Sequence, residues 1–213
     1  MKTYNEYIDS TLLKPNATLK EITKLFSDAV DHRFKCVCVN PTWVATAVKL
    51  LKDSDVKVCT VIGFPLGAST TKTKCYEAMD ALNNGASEID MVINISDLKA
   101  HEYDAVLKEI SAVKKVCGDY VLKVIAETCL LSIDEKEQIC TLAIKAGADF
   151  IKTSTGFNGE GATVSDIRLW KKIAGDRIGI KASGGIKTKD QMIKLIDAGA
   201  TRIGTSLATE LIK

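Results

Sequence analysis

Short apolar runs alternate with longer amphipathic stretches along the whole chain. The runs are rich in Val, Ile and Cys, which favours strands, whereas the stretches between them repeat apolar residues at helical spacing. This pattern predicts eight strands, at residues 7–12, 34–39, 56–62, 88–93, 121–127, 150–154, 178–183 and 202–205. Regular alternation of strands and helices is typical of a parallel sheet that is covered by helices.

Local signals mark several helix ends between these strands. Ser132 is followed three residues later by Glu135, which is the pattern of a capping box, and Thr163 begins a second helix. Gly147 and Gly199, each preceded by alanine, are expected just after helix C-termini. The predicted helices are therefore bounded close to the predicted strands.

Eight strands in 213 residues fit a closed (β/α)8 barrel near the small end of its size range. A doubly wound open sheet is the alternative, and it usually carries a glycine-rich first turn. Residues 8–15, IDSTLLKP, contain no glycine. The predicted fold class is α/β, a single (β/α)8 TIM barrel, with residues 1–213 forming one domain.

A six-residue pattern, Gly-Ala-x-x-Ile-x, recurs at 85–90, 147–152 and 199–204, where strands four, six and eight are predicted. In part it is a helix-end turn that leads into a strand. Its sixth position holds Asp90, Lys152 and Gly204. Because each interior layer of a barrel comes from alternate strands, we expect Asp90 and Lys152 to face each other, with open space at Gly204.

Strand periodicity predicts a charged barrel interior, because alternate residues of a strand share one face. The residues that this periodicity points inward are Asp90, Lys123, Glu127, Lys152 and Lys181. One such lysine could simply form an ion pair or keep its charge in water at a strand end. Five charges on adjoining strands are more typical of a functional site than of a structural core.

The chemistry of the site follows from burying Lys152. A buried lysine beside a second ammonium, here Lys181, loses its proton more readily and becomes a nucleophile that forms Schiff bases. Asp90 can pair with Lys181 and transfer protons. This set of groups suits aldol cleavage or condensation through an imine.

A phosphate site is predicted in the loops after strands seven and eight, where barrels often bind phosphate. The first loop reads SGGI at 183–186 and the second reads GTS at 204–206. Glycines let backbone N–H groups approach an anion, although a Gly-Gly pair is also a common turn. Lys187 could add a positive charge to this site.

Composition narrows the function further. A net charge of +2 gives no reason to expect nucleic acid or an anionic membrane as a partner, and no apolar run has the roughly 18 residues of a membrane span. Without an apolar signal core in residues 1–9, we expect a cytoplasmic protein. The seven cysteines lack a CxxC and read as reduced core thiols, with Cys38 a candidate pocket residue. Two isolated histidines argue against a zinc centre, and no nucleotide-binding motif occurs.

Motifs along nearly the whole chain resemble those of the deoxyribose-phosphate aldolase family, class I aldolases of barrel fold that act through a Schiff base. The matching stretches are IDSTLLKP (8–15), CVNP (38–41), VIGFPLG (61–67), EIDMV (88–92), KVIAET (123–128), FIKTSTGF (150–157), IKASGGI (180–186) and GTS (204–206). The motifs around Lys152 and Lys181 are the most specific.

The resemblance implies a reaction and a role for each site residue. Lys152 would form the imine, with Asp90 and Lys181 as the proton relay, in the reversible cleavage of 2-deoxy-D-ribose 5-phosphate to D-glyceraldehyde 3-phosphate and acetaldehyde. No metal or organic cofactor is implied, and the reaction belongs to deoxyribonucleotide catabolism. The residues expected to bind the substrate are Thr155, Gly156, Gly184, Gly185, Gly204 and Ser206, and those expected to support the site are Lys123, Glu127 and Cys38.

Three other functions remain compatible with these residues. The first is a Schiff-base aldolase or transaldolase that acts on a different phosphosugar. The second is a phosphosugar-binding barrel without catalysis, and the third, on fold grounds alone, is a phosphosugar isomerase or epimerase. In each case the expected partner is a small phosphosugar, and we expect a homo-oligomer, either a dimer or a tetramer.

Overall fold

The computed structural model describes residues 4–213. Within this range, eight parallel strands pair in chain order and close into a barrel, because β8 pairs with β1. The strands are β1 Ile8–Leu12, β2 Cys36–Val39, β3 Lys57–Ile62, β4 Glu88–Val92, β5 Val121–Ile125, β6 Phe150–Lys152, β7 Gly179–Ser183 and β8 Arg202–Thr205. The predicted closed barrel is confirmed, and the open sheet is excluded. We propose that the chain forms a single domain.

Helices cover the outside of the barrel. They are α1 Leu19–Asp31, α2 Val44–Leu51, α3 Thr71–Asn83, α4 Ile95–Lys99, α5 Tyr103–Cys117, α6 Ile133–Lys145, α7 Val164–Ala174, α8 Lys189–Asp197 and α9 Ala208–Leu211. Short 3-10 turns occupy Asn5–Tyr7, Pro41–Trp43 and Thr128–Leu130. Among the residues described, no helix combines the length and the apolar character that crossing a membrane requires.

Three predicted strands extend too far toward their carboxyl ends, the one at 88–93 by a single residue because β4 ends at Val92. The strand predicted at 121–127 ends at Ile125, because Glu127 adopts a left-handed conformation with φ of 57°. The strand predicted at 150–154 ends at Lys152, and the hydroxyl of Thr153 donates to the carbonyl of Ser183 at 3.0 Å. The residues that follow Ile125 and Lys152 form hydrogen bonds with neighbouring loops and strand ends, which local periodicity does not reveal. The predicted strands at 7, 34, 56 and 178 also began one or two residues early.

The predicted helix signals are confirmed. The hydroxyl of Ser132 accepts from the amide of Glu135, whose carboxylate accepts in return from the amide of Ser132. Thr163 caps α7 by accepting from the amide of Asp166 at 3.1 Å. The helices before Gly147 and Gly199 end at Lys145 and Asp197.

The apolar core lies between the strands and the helices rather than inside the barrel. Alternate residues such as Ile89 and Met91 of β4, or Ile180 of β7, are buried against the surrounding helices, where Trp170 is fully enclosed. A smaller buried set, which we call the thiol cluster, comprises Leu13, Cys36, Cys38, Cys59 and Val61. The outer apolar layer leaves the barrel interior free for polar residues.

A buried ion pair outside the barrel gives a test of this packing. The ammonium of Lys74 is fully buried and lies 2.7 Å from Glu109, which also accepts from the amide of Asn94. Replacing Glu109→Gln should lower the free energy of unfolding by about 3–5 kcal/mol, because an unpaired buried ammonium remains. Asp28→Asn, which breaks the exposed Lys24–Asp28 pair, should lower it by under about 1 kcal/mol. Urea unfolding measures both, and equal losses would contradict the expectation.

Candidate active site

The carboxylate of Asp90 lies at the centre of the barrel interior and is fully buried. One of its oxygens, Oδ2, accepts from Lys152 Nζ at 2.7 Å and from Lys181 Nζ at 2.9 Å. The other oxygen, Oδ1, accepts from Lys123 Nζ at 2.7 Å. The structure therefore brings Asp90 and Lys152 together, as the sequence repeat predicts. It also pairs Asp90 with Lys181, as expected, and adds Lys123 to the same carboxylate.

Asp90 belongs to a closed circuit of alternating charges, which we call the ionic ring. The ring runs through Asp9, Lys181, Asp90, Lys123, Glu88 and Arg202 and returns to Asp9. Lys123 Nζ lies 2.6 Å from Glu88, and Arg202 lies 3.2 Å from Glu88 and 2.7 Å from Asp9. Every cation of the ring thus contacts two carboxylates, so burial leaves no member unpaired.

The ionic ring determines the protonation states of Asp90 and Lys181, the two ring members beside Lys152. Burial alone would raise the pKa of Asp90, but the ammonium groups of Lys123, Lys152 and Lys181 outweigh it and hold that pKa well below its usual value. Burial disfavours the charged form of Lys181, yet the carboxylates of Asp9 and Asp90 raise its pKa above its usual value. Asp90 is therefore a carboxylate and Lys181 an ammonium at neutral pH.

A cavity of about 330 Å³ opens above Lys152 at the carboxyl ends of the strands, the face on which barrel enzymes carry their sites. It is lined by residues 11–14 at the end of β1, by Lys152, by residues 155–157 after β6, by 183–187 at the end of β7 and by 204–207 at the end of β8. Lys152 is 3% exposed. Within residues 4–213, no member of the ionic ring lines the cavity, so Lys152 alone connects the buried charges with it.

The space expected at Gly204 is not open. A Cβ at this position would lie 3.0 Å from Ser183 Cβ and 3.1 Å from Lys181 Cε. Gly204 of β8 is paired with Ser183 of β7, so it lies beside that strand. The absence of a side chain at Gly204 therefore leaves room for the aliphatic chain of Lys181. The prediction of open space was wrong because it considered one layer of the barrel without its neighbours.

The two predicted phosphate loops lie side by side at the cavity. Gly184 and Gly185 have φ angles of 83° and 70°, which favour glycine, and Gly185 faces open space. In the described part of the chain, the amides of Gly185 and Ser206 donate to no protein acceptor. Lys187 lines the same cavity, as does Lys14, which sequence reasoning had not singled out.

Glu127 does not join the charged interior, which corrects its prediction as an inward strand residue. Its carboxylate accepts from the amide of Thr155 at 3.1 Å, from the Thr155 hydroxyl, and from Asn158 Nδ2 at 2.8 Å. The left-handed turn at Glu127 carries the side chain toward the loop after β6. Glu127 therefore holds Thr155 and Gly156 against the cavity rather than pairing with a lysine.

Cys38 is fully buried in the thiol cluster and does not line the cavity, so its prediction as a pocket residue was wrong. Its hydrogen bond with Cys59, together with burial, raises the pKa of its thiol. Cys59 lies closer to the reactive groups, because its Sγ donates to Asp90 Oδ1 at 3.1 Å and accepts from Lys123 at 3.2 Å.

Two groups of side chains, Cys36–Cys59–Glu88 and Cys38–Cys59–Asp90, have donor atoms close enough to hold a metal ion. The carboxylates of both groups already contact the ammonium of Lys123, at 2.6 and 2.7 Å. This cation takes the place that a metal ion would need.

Sequence reasoning missed three ring members, Asp9, Glu88 and Arg202. A signal for two of them exists, since Glu88 precedes Asp90 by two residues and Arg202 precedes Gly204 by two. The same strand periodicity that points Asp90 inward also points Glu88 inward. Charged residues at strand starts are usually solvated, which is why these two did not stand out.

Comparison with known proteins identifies the family of this chain. The family model described as DeoC/LacD family aldolase matches residues 4–207. The chain belongs to the DeoC/LacD aldolase family. It is 54% identical over 210 residues to the deoxyribose-phosphate aldolase of Staphylococcus carnosus, covering 99% of this chain and 96% of that protein. It is 55% identical over 202 residues to the deoxyribose-phosphate aldolase of Streptococcus suis, covering 95% and 92%.

Solved structures extend the comparison of this DeoC/LacD aldolase to the fold. A putative deoxyribose-phosphate aldolase from Coccidioides immitis is 40% identical, with a TM-score of 0.97 over 99% of this chain and 84% of that one. The deoxyribose phosphate aldolase from Aeropyrum pernix, described as a unique tetrameric structure, is 34% identical, with a TM-score of 0.91 over 98% and 88%. The family resemblance in the sequence motifs is confirmed.

The close approach at Gly204 predicts a sensitive position in this DeoC/LacD aldolase. Gly204→Ala should lower kcat/KM for aldol cleavage about tenfold to a hundredfold, because the methyl group displaces Lys181 from Asp90. Steady-state kinetics measure the loss, and the thermal unfolding midpoint shows whether the barrel persists. An unchanged kcat/KM in a folded variant would show that the position of Lys181 is unimportant.

Proposed function

We propose that this protein reversibly cleaves 2-deoxy-D-ribose 5-phosphate to D-glyceraldehyde 3-phosphate and acetaldehyde through a Schiff base on Lys152. One observation carries the proposal above all others. Lys152 lies at the floor of the cavity with its Nζ 2.7 Å from Asp90, and it links that cavity to the buried charges. The family membership and the names of the relatives support the choice of substrate.

The first stage forms the imine. Lys152, once its ammonium group has released a proton, attacks the C1 carbonyl of the open-chain sugar, and the resulting carbinolamine loses water. Asp90 accepts a hydrogen bond from Lys152 and is positioned to take up the proton that the amine must lose. The protonated imine then attracts electrons from the bond between C2 and C3.

The second stage breaks this bond. The C3 hydroxyl gives its proton to the Asp90–Lys181 relay, the C2–C3 electron pair moves toward the imine, and D-glyceraldehyde 3-phosphate departs. An acetaldehyde enamine remains on Lys152 and takes a proton at C2. Lys181, held as an ammonium by Asp9 and Asp90, is the donor available beside Lys152. Water then hydrolyses the imine, which releases acetaldehyde and restores the amine.

The cavity supports a phosphosugar as the substrate. Its volume of about 330 Å³ is suited to a small ligand, and the loops after β7 and β8 lie beside Lys152. Amides at Gly185 and Ser206, with the side chains of Lys14 and Lys187, can receive the 5-phosphate. Thr155 and Gly156 would then contact the sugar carbons between this end and Lys152.

Two further expectations stay predictions. They are that the chain forms a homo-oligomer and that it works in the cytoplasm. Tyr76 and Met79, three residues apart on α3, are 65% and 45% exposed and support self-association.

Trapping of the intermediate tests the proposed reaction. Borohydride added with acetaldehyde should convert Lys152 to N-ethyl-lysine, because reduction fixes the imine, and peptide mass mapping locates the modified residue. Lys152→Leu should abolish both trapping and turnover while the circular dichroism spectrum is retained. The control Lys99→Leu removes a lysine from the outer ion pair with Glu135 and should leave both intact. A modification elsewhere, with Lys152 unmodified, would refute the mechanism.

A charge placed at the loop after β8 tests the phosphate position. Ser206→Asp should raise KM for 2-deoxyribose 5-phosphate at least about tenfold, because a carboxylate repels the phosphate. Cleavage of 2-deoxyribose, which carries no phosphate, should change by less than about twofold. Ser206→Asn is the matched neutral variant, and it should retain most of the affinity. Equal losses on both substrates would place the phosphate elsewhere.

A further inference from the structure

The ionic ring is electrically complete without Lys152. Three carboxylates alternate with three cations, and each contact between successive members of the ring is within 3.2 Å. Lys123 also lies 3.9 Å from Asp9. Lys152 is attached to the ring from above through Asp90 Oδ2. When Lys152 carries a proton, this buried group of seven side chains has one excess positive charge.

The members of the ring farthest from the cavity are Arg202 and Glu88, which lie toward the amino ends of the strands. The guanidinium of Arg202 is 5% exposed and lies over the ring of Phe150, 5.2 Å from its centroid. Glu88 is 3% exposed. Neither lines the cavity, so neither touches a substrate bound above Lys152.

Both residues reach Asp90 through one intermediate cation. Glu88 shares Lys123 with Asp90, at 2.6 and 2.7 Å, and so competes for its ammonium. Arg202 holds one oxygen of Asp9 at 2.7 Å, while the other oxygen of Asp9 contacts Lys181. A change of charge at Glu88 or Arg202 therefore alters how strongly Asp90 is held by Lys123 or Lys181.

We propose that Glu88 and Arg202 are positioning residues whose opposite charges set how readily Lys152 gives up its proton. The inference rests on the proposed function of Lys152 as the imine-forming amine. In a barrel interior closed to water, an uncompensated charge is disfavoured, and Lys152 is the cation that can release its proton into the cavity. The charges of Glu88 and Arg202 therefore act on the release of this proton in opposite directions.

Charged or titratable groups from every strand of the barrel take part. They are Asp9 of β1, Cys36 and Cys38 of β2, Cys59 of β3, Glu88 and Asp90 of β4, Lys123 of β5, Lys152 of β6, Lys181 of β7 and Arg202 of β8, with Lys14 and Lys187 at the cavity. The sulfur of Cys59 contacts both Asp90 and Lys123, at 3.1 and 3.2 Å, and Cys59 is the same in every variant below. The opposite signs of Glu88 and Arg202 therefore set the direction of each shift.

Opposite shifts in pH dependence test the proposal. Glu88→Gln removes a negative charge, so Lys152 should lose its proton at lower pH, and the acid limb of kcat/KM should move down by about one pH unit. Arg202→Gln removes a positive charge and should move the same limb up by about one unit. The double variant restores the balance and should return the limb to within about 0.3 unit of the native position.

Controls separate charge from damage to the fold. Glu88→Asp and Arg202→Lys keep the charges and should leave the limb in place. Asp166→Asn breaks a different buried pair, with Lys136 at 2.8 Å outside the barrel, and should also leave it in place. Shifts of the two neutral variants in the same direction, or no shift in folded protein, would overturn the proposal. If one neutral variant does not fold, the sign of the other decides.

The rate of borohydride trapping at each pH gives a second readout that is independent of turnover. In each variant, the pH dependence of the trapping rate should shift in the same direction as the acid limb of kcat/KM. An absence of any adduct on Lys152 in the native protein would refute the proposed function itself. If the native protein forms the adduct on Lys152 but the acid limbs of Glu88→Gln and Arg202→Gln do not move in opposite directions, only the role of Glu88 and Arg202 is refuted.

Discussion

The structure depends on one carboxylate shared by three ammonium groups. Asp90 is contacted by Lys123, Lys152 and Lys181, each within 2.9 Å. Such a group is stable in a closed interior only if further carboxylates offset the excess of positive charge. Asp9 and Glu88 provide them, and Arg202 joins those two, which closes the circuit. The position of nearly every inward-facing charge follows from this requirement.

Because the barrel interior is charged, the stability of the barrel must come from another part of the structure. Replacing buried ion pairs by apolar residues is often neutral or stabilising, so the ring itself is weak evidence of stability. The apolar layer between the strands and the helices, with residues such as Ile89, Met91 and Trp170, is fully buried and continuous. Burial of that layer provides the main driving force of the fold. The protein thus separates the part that holds the barrel together from the part that performs chemistry.

The sequence predicted the closed barrel and the meeting of Asp90 with Lys152 because both follow from regular periods along the chain. The periodicity also placed Lys123 and Lys181 in the interior, but it did not predict Asp9, Glu88 or Arg202. The pairing of Arg202 with Asp9, for example, joins residues 193 positions apart. Such contacts depend on how the last strand meets the first, which no local pattern contains. Gly204 and Glu127 were misjudged for a related reason, since their surroundings come from Lys181 of a neighbouring strand and Thr155 of a distant loop.

The pairing of β1 with β8 has a consequence for the order in which the protein folds during synthesis. Asp9 lies in the first strand to be synthesised, whereas Lys181 and Arg202 lie in the last two. A chain that is still growing can form its early strands and helices but has no partner for Asp9 and an incomplete set of partners for Asp90. The reactive lysine therefore acquires its surroundings only when both ends of the chain meet. Closure of the ionic ring therefore waits for β7 and β8, the last strands to be synthesised.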